Sequence, residues 1–86
     1  MTLDTILSFK KAMERYKNLS GKSGVRAYQI REHSIVIEFE GNGKYLYNYD
    51  RPGREHVEEM KKLAIEGLGL STYISRNVKN KYLRKL

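Results

Sequence analysis

The apolar positions of this chain switch between a helical and an extended period. From Leu3 to Leu19, Leu3, Ile6, Leu7, Phe9, Met13 and Tyr16 recur at helical intervals, with Thr2 placed to cap and Asp4 in the first turn. This predicts an amphipathic N-terminal helix whose outer face holds Lys10, Lys11, Glu14, Arg15 and Lys17. Ser20-Gly21-Lys22-Ser23-Gly24 then reads as a flexible link, so residues 1–22 are helix and link ahead of a body at 23–86. Its Gly-Lys-Ser echoes a phosphate-binding loop, but Tyr16 stands where that motif needs a glycine and no buried strand precedes it.

The period then drops to two. Val25 to Arg31 predicts a first strand, turning through Glu32-His33-Ser34 into Ile35-Val36-Ile37-Glu38-Phe39-Glu40, which alternates apolar and polar. Lys44-Tyr45-Leu46-Tyr47-Asn48-Tyr49 repeats a tyrosine at every second position, so a strand there presents three rings on one face. Gly41-Asn42-Gly43 between them is a hairpin signal. A two-residue Asn42-Gly43 turn would set Tyr45 and Tyr47 opposite Glu40 and Glu38. A three-residue Gly41-Asn42-Gly43 loop sets Glu40 beside Lys44, Phe39 beside Tyr45 and Ile37 beside Tyr47. The second register is preferred, because it collects Ile35, Ile37, Phe39, Tyr45, Tyr47 and Tyr49 on one face and pairs opposite charges.

A helical period returns at Pro52, which suits a first turn; Val57, Met60, Leu63, Ala64 and Leu68 form one stripe until Gly67 and Gly69 end it. Charged residues fill the opposite face, Glu58 and Lys62 as i,i+4 partners. Leu70, Ile74, Val78 and Tyr82, four apart with Ser71 as cap, predict a short last helix. The expected fold class is α+β: N-terminal helix, three-stranded antiparallel β-meander, covering helix, short C-terminal helix.

Composition changes the picture in three ways. With 86 residues the chain is one small domain. Without cysteine it has neither disulfides nor a thiolate metal site, and no apolar run approaches a membrane span. The start Met-Thr-Leu-Asp lacks the pattern of a secretion leader, so a cytoplasmic protein is expected. The net charge of +7 implies attraction to polyanions, and it is unevenly spread: residues 67–86 carry five basic side chains and no acid.

Taken together, Ile35-Val36-Ile37-Glu38-Phe39, the pair Tyr45-Leu46-Tyr47, the stretch Tyr49-Asp50-Arg51-Pro52 leading into a helix, and the close Thr72 to Tyr82 carry a resemblance. From about Ser23 to Tyr82 the chain resembles the KTSC family, a module named for the C-terminus of some lysyl-tRNA synthetases and also found as free-standing bacterial proteins. The family's company with a synthetase implies RNA binding. Residues 1–22 lie outside the resemblance, and Glu66-Gly67-Leu68-Gly69-Leu70-Ser71 is more apolar than the family's pattern at that place.

Catalytic chemistry has no constellation here. His33 and His56 lack partners at metal-ligand spacing, Glu38 and Glu40 have Lys44 as a nearby partner, and Ser71 and Ser75 have no adjacent base. A non-enzymatic module without cofactor or metal is expected, binding nucleic acid, RNA rather than DNA. Lys79, Lys81, Arg84 and Lys85 would meet phosphates, Arg76 would serve phosphate or base, and Tyr47, Tyr49 and Tyr82 are the candidate stacking rings. The tyrosines have a second reading, as core with hydroxyls at the rim. The rival function is a protein-interaction module, an adaptor or inhibitor of a nucleoprotein complex, docking through the N-terminal helix or a sheet edge. Self-association through that helix is a third possibility.

Overall fold

The fold comes from a computed structural model that describes residues 12–86. Among the described residues, strands β1 (Glu14–Arg15), β2 (Val25–Ile30), β3 (Ser34–Phe39) and β4 (Gly43–Asn48) come first. Helix α1 (Arg54–Glu66) and the short α2 (Leu70–Tyr73) follow, and β5 (Arg84–Lys85) closes the chain. The strands form one antiparallel sheet in the order β1-β2-β3-β4-β5.

This overturns the expected helix followed by a three-stranded meander. The part of that helix before residue 12 lies outside the described residues. Residues 12–19 hold no helix: Glu14 and Arg15 pair with Tyr28 and Ala27, the Tyr16 N–H donates to the Arg26 carbonyl at 3.0 Å, and the chain turns at Asn18, whose φ is 54. The Tyr16 ring is 4% exposed, and its hydroxyl accepts from the Leu70 N–H at 3.3 Å. Ladder bonds and ring burial outweigh helical spacing, which is a weak local preference. The same strap continues to the junction of the helices, where the Leu19 N–H donates to the Gly67 carbonyl at 2.9 Å. Gly67 ends α1 at φ +80, and a Cβ there would lie 2.5 Å from Lys17 Cβ, so both backbone and contact call for glycine.

The hairpin register differs from both expected ones. Phe39 pairs with Gly43, Glu38 with Lys44, Ile37 with Tyr45 and Ile35 with Tyr47, around a loop of Glu40, Gly41 and Asn42. Relative to the preferred register the strands slip by two residues. A slip of two preserves the faces, so Ile35, Ile37, Phe39, Tyr45 and Tyr47 still share one side. In β2 a bulge between Val25 and Ala27 turns Val25 to the same side as Tyr28 and Ile30.

Helix α1 covers that face. Val57, Met60 and Ala64 are buried, and they meet Ile35, Ile37, Tyr47, Leu70, Ile74 and Val78 in one core. Leu68 is instead 51% exposed, beyond the helix end. Pro52 precedes α1 in a turn with a cis Arg51–Pro52 bond, and Gly53 is the N-cap. Ser71 lies within α2, whose N-cap is Gly69. After α2 the winding widens to a π-helical stretch, Ile74–Val78, and Lys79 at φ 52 turns the chain out of it. Tyr82 is therefore not a fourth helical anchor. It belongs to the segment that returns along β4, fastened by the Leu83 N–H to the Leu46 carbonyl at 2.7 Å and the Leu86 N–H to the Lys44 carbonyl at 2.8 Å.

Candidate nucleic-acid interface

The three tyrosines of β4 and its continuation meet three environments. Tyr47, in the middle, is 1% exposed, and its hydroxyl's pKa is raised, chiefly by burial and then by the neighbouring Tyr45 and Tyr82. It has no ring face to offer a base, which removes it from the candidate stacking rings. Tyr49 is half-buried. Its hydroxyl donates to Glu58 Oε2 at 2.7 Å, and its ring meets His33 edge-on at 5.0 Å. Arg54 and Lys61 each lie 6.0 Å from the same ring, and Lys61 Nζ pairs with Glu58 at 2.9 Å. That ion pair is the only one among the described residues. The bond to Glu58 raises the Tyr49 hydroxyl, and the same bond, with the Lys61 contact, holds the Glu58 carboxyl below its ordinary value.

Tyr45 sits at the hairpin end. Its ring packs edge-on to Phe39 at 5.6 Å and, tilted, against Tyr82 at 4.7 Å. Tyr82 reaches that place because β5 returns antiparallel along β4; its carbonyl accepts from Arg51 Nε at 3.0 Å, and its ring also meets Tyr47 edge-on at 6.3 Å. Lys85 pairs with Tyr45 in the ladder and carries its Nζ 5.6 Å from the Tyr45 ring centroid. Its stem crosses Gly43, where an added Cβ would lie 3.2 Å from Lys85 Cε.

Between the rings and the turn after the π-helical stretch lies a groove of about 300 Å³, to which Phe39, Tyr45, Tyr82, Lys79, Asn80 and Asn42 contribute, with Tyr47 at its buried margin. No carboxylate lines it. A larger concavity of about 730 Å³ beside β1 mixes Arg15, Lys17 and Arg26 with Glu38 and Glu40, and its one aromatic residue, Tyr16, is buried. The first surface suits an anion carrying a flat ring; the second does not.

Of the residues expected from sequence, the structure thus brings together Lys79, Tyr82 and Lys85, with Tyr47 beneath them. It sets the others apart. Arg84 pairs with Leu46, alternate to Lys85 along β5 and so on the opposite face of the sheet. Arg76 is exposed on the π-helical stretch, Lys81 is exposed in the turn that follows, and Tyr49 lies in the Glu58 network. Phe39, Asn42, Tyr45 and Asn80 were not among the expected site residues. Asn80 and Asn42 border Lys79 and the hairpin glycines, so composition marked their neighbourhoods, but only the return of β5 joins the two.

His56 Nδ1 lies 2.7 Å from the Tyr73 hydroxyl, and among the described residues no group of three or more His, Asp or Glu is arranged to hold a metal. No helix among them is long and apolar enough to cross a membrane. Comparisons with protein-family models, curated proteins and solved structures return no match to this chain.

Proposed function

We propose that this chain is a small, basic, non-enzymatic module that binds single-stranded nucleic acid, RNA in preference to DNA, at the groove between the hairpin and the returning C-terminal segment. The observation that carries this reading is the sharing of one carboxylate-free groove by Tyr45, Tyr82 and Lys79, with Lys85 over the Tyr45 ring. Aromatic faces hold bases without regard to sequence, and lysines hold the phosphates between them. The preference for RNA rests on the resemblance of residues 23–82 to the KTSC family. Arg84 and Lys81, away from the groove, extend the positive field that draws a polyanion in but need not touch it.

The rival reading, docking of a protein through an N-terminal helix or a sheet edge, loses Glu14 to Tyr16 as part of a helix, since they are tied to β2. The test is the salt dependence of binding to a fluorescent single-stranded RNA. Each phosphate contact contributes a slope of about −0.7 on logarithmic axes, so replacing Lys79 and Lys85 by alanine flattens it by about 1.4. An absence of binding to RNA and single-stranded DNA at low salt, with a folded protein, overturns the proposal.

A further inference from the structure

We infer that the groove accepts a single unstacked nucleobase, held between ring faces and side-chain amides with its flanking phosphates on Lys79 and Lys85; this rests on the nucleic-acid reading above. The ring geometry argues against a platform for consecutive bases. Such a platform needs ring faces turned side by side towards the strand, whereas here neighbouring rings cross: Phe39 and Tyr45 at 69°, Tyr45 and Tyr82 at 58°, Tyr47 and Tyr82 at 87°. Packed on one another, with centroids 4.7–6.3 Å apart, the crossed rings form one continuous lining of the groove rather than a row of open faces. The groove's volume of about 300 Å³ stands at the low end of the roughly 300–1,000 Å³ usual for small-molecule sites, room for one ring system and its sugar.

The asparagines supply an independent observation. Asn18, Asn48 and Asn77 spend their side chains on nearby backbone: Asn18 Oδ1 accepts from the Ser23 N–H, Asn48 Oδ1 from the Asp50 and Arg51 N–H groups, and Asn77 Nδ2 donates to the Tyr73 carbonyl. Asn42 and Asn80, the two that line the groove, make no such bond with a described residue. An amide offers a donor and an acceptor side by side, the pattern that the edge of every base answers. The groove therefore presents hydrogen-bonding groups where its rings leave an edge open, and positive charge where a backbone would enter and leave.

The experiment uses the full chain and RNA oligomers of one length in four forms: every base present, every position abasic, one central base only, and three adjacent central bases. Binding is read by anisotropy at fixed low salt. The single-base oligomer should bind as tightly as the complete one and about 5- to 150-fold more tightly than the abasic one, the range that stacking one base supplies. In Asn80→Ala, an exposed position whose loss leaves the fold intact, the single-base form weakens several-fold and the abasic form is unchanged. Tyr82→Phe should bind like the parent and Tyr82→Leu should lose the advantage of the base, with amide spectra checking that β5 stays in place. Affinity that climbs from one base to three overturns the inference in favour of a platform. Equal binding of abasic and complete oligomers, or an Asn80→Ala protein with an unchanged ratio between them, also overturns it and leaves the nucleic-acid reading standing. If no form binds, both fail together.

Discussion

Tyr45 and Tyr49 flank Tyr47 along one tyrosine repeat, and they differ in what surrounds them. Around Tyr49 the polar groups form a chain: its hydroxyl bonds Glu58, Glu58 pairs with Lys61, and Lys61 Nζ donates to the Glu32 carbonyl at 3.0 Å. Around Tyr45 the partners are rings, a lysine over the ring and amides whose side chains bond no described residue. The lesson is that a basic aromatic surface becomes a candidate binding site only where acid is missing. Helix α1 brings Glu58 to the Tyr49 end, while the acid-free C-terminal segment lies at the Tyr45 end.

The largest perturbation should strike both ends together. Tyr47 belongs to the buried core against which Tyr45 and Tyr49 both pack, and Tyr47→Ala should cost about 3–5 kcal/mol, read from urea unfolding. A loss below about 1 kcal/mol, within the range of surface changes and small cavities, would mean that the two ends do not share this support. Next comes the clamp of Gly67 on the N-terminal strap. Gly67→Ala forces a side chain into the left-handed region and against Lys17, and should cost about 1–3 kcal/mol in the same measurement, with the groove's RNA affinity preserved at temperatures where the protein stays folded.

A matched pair of substitutions separates the two ends of the strand. Tyr45→Ala should weaken single-stranded RNA by about 1–3 kcal/mol, the value of one stacked base, whereas Tyr49→Ala should leave it unchanged. Equal losses would place the binding surface along the whole strand. The smallest effect is on protons. Because the Glu58 carboxyl is depressed by the Tyr49 hydroxyl first and Lys61 second, its contribution to stability is present above the ordinary carboxylate pKa and lost as pH falls through the depressed one. In Tyr49→Phe the Glu58 carboxyl should titrate nearer the ordinary value, followed by its carbon chemical shift, with Lys61 keeping part of the depression. An unmoved midpoint would show that the hydroxyl bond is not what answers Glu58.

Much of the inner sheet could be read from pattern. Alternation at Ile35–Phe39 and Tyr45–Tyr49 specifies which residues share a face, and that survived a two-residue slip because the pleat repeats every two. The slip itself was invisible: Gly41 and Gly43 both take positive φ, and the glycines alone do not say which residues close the loop. The N-terminal error was of another kind. Met13 and Tyr16 fit a helical stripe, but residues 12–19 were tied to β2 and to Gly67 by partners far along the chain.

Local order in the chain therefore determined the face of the hairpin, the buried stripe of α1 and the acid-free stretch at the end, because period and charge are properties of neighbours in sequence. Tertiary structure alone decided that Tyr47 is sealed, that Tyr49 is spoken for, and that Tyr45 meets Tyr82 and Lys85. Those outcomes depend on where the chain turns after Val78 and which edge its last residues pair with. Contacts between distant segments are set by the summed burial and hydrogen bonding of the whole fold, which no short window of residues contains.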